Sequence, residues 1–443
     1  MATEKGFLQD VWPMTMLIIL TVSSMMGGCL FCSYNRDYNE INLKKKDDEI
    51  YECVQLLPHE SEVMIVFPSV SSITFFTGVI DKSRLYNKIL DIMKCNPWLG
   101  GRLVRENNST YLQYTRCNEF TTINPGIFSI AQHNDLHEKL SFNEIQKIAR
   151  LYTVKAGTAC INKDEVLFKV TLIMTGLSSC ALVVSLSHVV GDGNNMFTIY
   201  RMLGDNQDII TLNPVRDMEY DHKLNSVSCY HKERIDFINS LSFILNMVVT
   251  STKEKLFRPS MELLHIRKDW IEAEKQKYHD VSNKITVSSP SSSFVSTNDI
   301  ITCWLFKLLN VDIGGMVVNY RNRIPGITES NVGNYSSMIT YQRDDYSHPS
   351  LIRASLQSYC RVITKKLNFI PFISRFICIT NWSTFYTEAI FEGCKEVHHL
   401  PVEANPNTIK IFKSSPTQYS VLTASCYLSQ EELHRKSREQ ACS

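Results

Sequence analysis

Ser187-His188-Val189-Val190-Gly191-Asp192-Gly193 stands where an apolar, β-branched run ends and a helical pattern begins. Upstream, Cys180–Ser187 reads as a buried strand, joined to a second apolar run at Glu165–Thr175 through Gly176–Ser179, a hairpin by pattern. Downstream, Met196, Phe197, Tyr200 and Leu203 recur at helical spacing. A strand end is a rigid place to hold a reacting group. A neutral imidazole there can take a proton from a hydroxyl or an amine near neutral pH. Gly193 permits a tight turn and a close backbone approach. Asp192, four residues beyond His188, is placed to turn back and brace the loop rather than to join the proton transfer.

Outward from this stretch the chain keeps alternating. Met64–Gly78 reads as two short strands around a break at Pro68–Ser72, and Asp81–Met93 as a helix with Leu85, Ile89, Leu90 and Met93 on one face. Gly314–Asn319 and Tyr419–Leu428 read as further strands, while Ser288–Ser293 is an exposed loop. Thr297 or Asn298 is the expected cap of a helix running through Trp304 to Leu309. Between Asn206 and Ser293 the pattern is polar and weak, which marks a crossover. The fold class is mixed α/β in two halves, since 443 residues exceed the usual size of one compact core. With 44% hydrophobic and 21% charged residues, disorder and collagen are excluded. Lys+Arg 46 against Asp+Glu 45, without a long basic run, excludes a nucleic-acid partner held by phosphate neutralisation. The 14 Cys are scattered, which suits a reducing compartment for most of them.

The His188–Gly193 string resembles the H-x-x-x-D-G motif of the chloramphenicol-acetyltransferase-like superfamily, in particular its BAHD acyltransferases. Four further segments match in the expected order. Asn96–Leu103 is similar to P-x-x-x-G-R-L, and Ser296–Trp304 to the start of the long helix of the second half. Val317–Arg323 with Gly333-Asn334 is similar to V-D-x-R-x-R … G-N, and Thr380-Asn381-Trp382 to the S-W strand. Two departures stand out: Ile390–Cys394 replaces D-F-G-W-G, and Asn319 replaces an Asp.

The resemblance implies two similar halves, each a mixed sheet flanked by helices, with the active site in a tunnel between them. It implies an acyl-CoA-dependent acyltransferase in which His188 is the general base for an acceptor hydroxyl or amine. Thr380, Trp382 and Gly193 would position the substrate and its oxyanion, Asp192 would pair with Arg321 across the halves, and Ser296 and Asn334 would contact coenzyme A. No metal and no permanently bound cofactor are required; acyl-CoA is a co-substrate, and its partner is a small-molecule or lipid acceptor. A monomer is expected. The alternatives are a wax-ester or diacylglycerol-type acyltransferase and a catalytically silent relative that binds an acyl thioester.

The boundaries that follow are an N-terminal extension at 1–49, a half at 50–215 carrying His188, a crossover at 216–293 and a second half at 294–443. Val11–Cys32 holds no charged side chain for 22 residues, a candidate membrane anchor although seven of them are Pro, Gly, Ser or Thr. Of the nearby Lys and Arg only Lys5 precedes it, whereas Arg36 and Lys44, Lys45 and Lys46 follow, so the catalytic domain is expected on the cytosolic side of a membrane such as the endoplasmic reticulum, or in the cytoplasm without the anchor. Cys29 and Cys32 have no ligand partners for zinc, and His398-His399 reads as a solvated loop. The sequon at Asn108 would matter only in a lumenal domain.

Overall fold

The computed structural model describes residues 42–46, 49–107, 109–115, 122–229, 231–257, 261–284, 294–363, 365–370, 373–403 and 407–423, with 435, 437–438 and 441–442. Its strands are β1 (Asn42–Lys46), β2 (Glu49–Gln55), β3 (Val70–Thr77), β4 (Arg102–Glu106), β5 (Ser109–Thr115), β6 (Phe128–Gln132), β7 (Phe168–Met174) and β8 (Ser179–Leu186). They continue with β9 (Glu262–Ile266), β10 (Ile313–Asn319), β11 (Ser336–Gln342), β12 (Phe376–Asn381), β13 (Lys395–Pro401), β14 (Thr408–Ser415) and β15 (Gln418–Thr423). Among the described residues they form three sheets, in the orders β1-β2-β5-β4, β13-β3-β8-β7-β6 and β11-β10-β12-β14-β15-β9.

β7 and β8 form the antiparallel hairpin expected from the sequence, and both are buried almost throughout. That burial on two faces is why they read as continuous apolar runs rather than as alternating ones. Between the two larger sheets the described chain crosses three times: into the second before β9, back to the first for β13 and into the second again for β14. β13, late in the sequence, pairs with β3 in the first sheet, and β9, from the crossover region, pairs with β15 in the second. The second sheet serves both cores. Ile377, Ile379, Ile409, Ile411 and Val421 pack with Trp304 and Phe306 on one face. Trp382, Phe412 and Leu422 join the core of β3, β7 and β8 on the other.

Several expectations are corrected by this architecture. Met64–Val66 is a 3-10 turn, not a strand, because the short helix Pro58–Glu62 runs directly into it before Pro68. The cap of the helix Thr297–Leu308 is Ser296, whose Oγ accepts from Asp299 N while the Asp299 carboxylate accepts from Ser296 N. That reciprocal pair needs an acid three residues on, which Thr297 and Asn298 lack. The weakly patterned crossover is largely helical, with helices at Tyr220–Val227, His231–Ile238, Leu241–Phe257 and Lys268–Lys284. His398-His399 is no solvated loop: it lies in β13, and His399 is 1% exposed with Nδ1 2.8 Å from Thr74 Oγ1. Cys229 and Cys360 form a disulfide, while eight other described cysteines are free.

The membrane anchor expected at Val11–Cys32, like the Cys29/Cys32 pair and Asn108, lies outside the described residues. Among the described residues no helix is long and apolar enough to cross a membrane. The expectation of a membrane-associated chain is therefore withdrawn; its seven Pro, Gly, Ser and Thr already diluted the segment's drive to insert.

Candidate active site

β8 ends at Leu186, and Ser187 N still donates to Leu167 O at 2.7 Å, so the strand delivers His188 at a fixed point. The chain then turns, with Val190 N and Gly191 N both donating to Ser187 O. Asp192 starts the helix Gly193–Met202 as its cap, accepting from Asn195 N. His188 is half-buried against Phe67, with ring centroids 6.2 Å apart. Its main-chain carbonyl accepts from Asn334 Nδ2 at 2.8 Å, and its buried Nδ1 has no partner from another residue. Burial lowers the imidazole pKa, opposed by its own carbonyl and Asp192 and assisted by Lys410. The ring is therefore neutral near pH 7.

Asp192 does not face His188. Its Oδ2 lies 2.7 Å from Arg321 Nη1, at the junction of the halves. Arg321 is 2% exposed and finds an acceptor for each of its five N–H groups: Asp192, Asn319 Oδ1, Asn195 Oδ1, Gly333 O and Asn331 O. A guanidinium is the only side chain with that donor fan. Asn195 contributes a second tie, accepting from Gly333 N and donating to Asn331 O.

Beneath the histidine loop lies a buried cluster that no motif announced. Glu60 and Arg216 pair at 3.0 Å, and both side chains are fully buried. Arg216 also donates to Val190 O in the histidine loop, and Glu60 Oε1 accepts from Asn334 N and Nδ2. Gly333, at φ +136, is needed here: a β-carbon would fall 3.0 Å from Glu60 Oε1 and 3.2 Å from Arg216 Nε. Burial by itself raises the Glu60 pKa, but Arg216, His59 and the Leu57 N–H outweigh it, and the balance lies below the usual 4.5. The stability from this carboxylate is thus complete above an unfolded glutamate's pKa of about 4.3 and is lost as pH falls through the lower folded value. Glu60→Gln should cost roughly 3–5 kcal/mol at neutral pH by stranding Arg216. In urea titrations its deficit against wild type should shrink towards pH 3; a deficit independent of pH would mean that Glu60 is not charged in the fold.

The second sheet packs against this half. Thr380, half-buried in β12, and Trp382 at its end project from the face that the first half covers. Trp382 packs edge-on against Phe197, and its Nε1 lies 3.4 Å from where a side chain on Gly193 would begin. That is ordinary contact and Gly193 keeps a helical backbone, so the tight-turn role expected of it does not apply. Lys410 stands beside Thr380 in the parallel register, its Nζ 4.4 Å from the centre of the Trp382 ring. Ser296 and Asn334 are occupied as a helix cap and as the brace between Glu60 and His188. Two surface clefts of about 280 and 370 Å³ on the second half are lined by none of these residues.

No protein-family model matches the chain, and no curated protein matches it. Solved structures do. TRI101 of F. sporotrichioides, in complex with coenzyme A and T-2, superposes with a TM-score of 0.55 over 88% of this chain and 99% of its own, at 11% identity. Vinorine synthase gives 0.55 over 91% and 97%, at 13% identity. The first condensation domain of the calcium-dependent antibiotic synthetase, with substrate analogue 3a, gives 0.56 over 87% and 94%, at 10% identity. The chain has the chloramphenicol-acetyltransferase-like fold. In that fold the His188 loop and the Trp382 strand come from different halves, and the interlocked Asp192–Arg321 and Glu60–Arg216 pairs hold them in register.

Proposed function

We propose that this protein is an acyltransferase moving an acyl group from a coenzyme A thioester to an acceptor hydroxyl or amine, with His188 as general base. The observation that carries the reading is His188 itself: an imidazole whose pKa burial lowers, fixed where β8 ends, in a loop that runs on to Gly193 beside the Trp382 indole. The likeness to a structure holding coenzyme A supports it. His188 takes the acceptor proton as the acceptor oxygen or nitrogen bonds to the thioester carbonyl carbon. The oxyanion so formed is met by Thr380 and Trp382. Its collapse breaks the carbon–sulfur bond, and the imidazolium returns the proton to the leaving thiolate. Asp192 and Arg321 hold the two walls together, and Asn334 and Ser296 brace rather than touch the coenzyme.

The test is release of free coenzyme A thiol from a panel of acyl-CoAs offered pooled alcohols, amines and phenols. Acceptor-independent release, or none with any pair, would remove the reading. If the indole N–H meets the oxyanion, Trp382→Phe should lower kcat about a hundredfold with KM little changed, as loss of one such donor does elsewhere. A change confined to KM would leave Trp382 as a wall only.

A further inference from the structure

Lys410 lies in the middle of β14, between Ile409 and Ile411, which point into the other core. It is 6% exposed. Strand pairing sets it between Thr380 and Leu422, on the face that also carries Trp382 and looks toward the histidine loop. The ammonium rests over the Trp382 ring and donates to the main-chain carbonyl of Glu403. The Glu403 carboxylate is taken up by Arg150 at 2.9 Å, and among the described residues no carboxylate lies within ion-pair distance of Lys410 Nζ. Of its three N–H donors, one meets a carbonyl and none meets an anion. A charge buried this far is ordinarily paired. Burial pushes its pKa down to about 8, with Glu403 opposing and Arg150 assisting, so the group is still protonated at neutral pH. The Trp382 indole beneath it packs against Phe197 and lies beside Gly193, at the end of the histidine loop.

We propose that Lys410 recognises a carboxylate carried by one of the two substrates, which makes it a specificity-determining residue of the site. The proposal rests on the acyl-transfer reading above. One ammonium neutralises one charge, which suits a carboxylate better than a dianionic phosphate, and the indole beside it suits the apolar carbons next to that carboxylate. The carboxylate sits either on the acceptor or at the far end of a dicarboxylic acyl group.

Calorimetric binding on the full chain distinguishes these. 3-Hydroxybenzoate is compared with its methyl ester in the presence of coenzyme A, and malonyl-CoA with acetyl-CoA. At least one acid should bind about tenfold or more tightly than its neutral counterpart, the scale of a charge-assisted hydrogen bond. That ratio should approach one in Lys410→Met and persist in part in Lys410→Arg. In the wild type it should also fall as pH rises through about 8, where the ammonium loses its proton. A preference in the first pair places the carboxylate on the acceptor, and in the second on the acyl group. Equal binding of acid and neutral partner, or a ratio indifferent both to Lys410→Met and to pH, overturns the proposal. Thiol release with the same pairs keeps the two readings apart. Lys410-dependent binding without any turnover would sink acyl transfer and keep the carboxylate site, whereas turnover indifferent to the carboxylate would sink the site alone.

Discussion

His188→Ala should lower kcat about a hundred- to ten-thousandfold, the range that a positioned general base supplies. The melting temperature should barely move. The ring is half-buried, makes one tilted contact with Phe67, and leaves Nδ1 without a partner from another residue, so little packing or hydrogen bonding is lost. The wild-type pH profile offers an independent check. Protonated imidazole cannot accept the acceptor's proton, and burial holds its pKa below the ordinary 6.5, so kcat/KM should fall only as pH drops through that lowered value. In His188→Ala this acid limb should vanish with the activity. Residual turnover within about tenfold of wild type would take proton abstraction away from this residue.

The largest effect on stability belongs to Arg321. Replacing it by methionine strands Asp192 and removes one donor from each of four further acceptors at the junction. Loss of one partner from a buried pair costs roughly 3–5 kcal/mol, which urea denaturation would register as an earlier midpoint at similar slope. Arg321→Lys should recover little, because three N–H groups on a single nitrogen cannot reach five acceptors spread over Asp192, Asn195, Asn319, Asn331 and Gly333. Asp192→Asn combined with Arg321→Gln should cost less than the two changes summed. Strict additivity would mean that the groups do not interact in solution.

The site could be read in the sequence only where chemistry is local. His188 and Asp192 are four residues apart, and the apolar run before them fixes a strand end by its composition. Ser296 and Asp299 form a cap by spacing alone, although Thr297 and Asn298 beside them are capping types too. Glu60 and Arg216 had no such signal. They are 156 residues apart, and a buried charge looks in sequence like a solvated one. Asn195 reads as an ordinary polar residue early in a helix.

Period-2 and period-3.6 patterns, the turn at Gly176–Ser179 and the order of the motifs therefore determined the two-half α/β class and the point at which His188 emerges, but not the 3-10 turn at Met64–Val66 or the helices of the crossover. What only the tertiary structure decided is which strands pair and which faces meet. β13 leaves its own half to extend the sheet of β3, which buries His399 instead of exposing it. The parallel register of β12 and β14 sets Lys410 beside Thr380 and over Trp382. In sequence, Ile409-Lys410-Ile411 is a strand with one polar residue, and nothing local tells whether that residue meets water or a second core. Strand pairing joins residues far apart in the chain, and its register follows from how whole apolar faces are covered rather than from any one segment's preference.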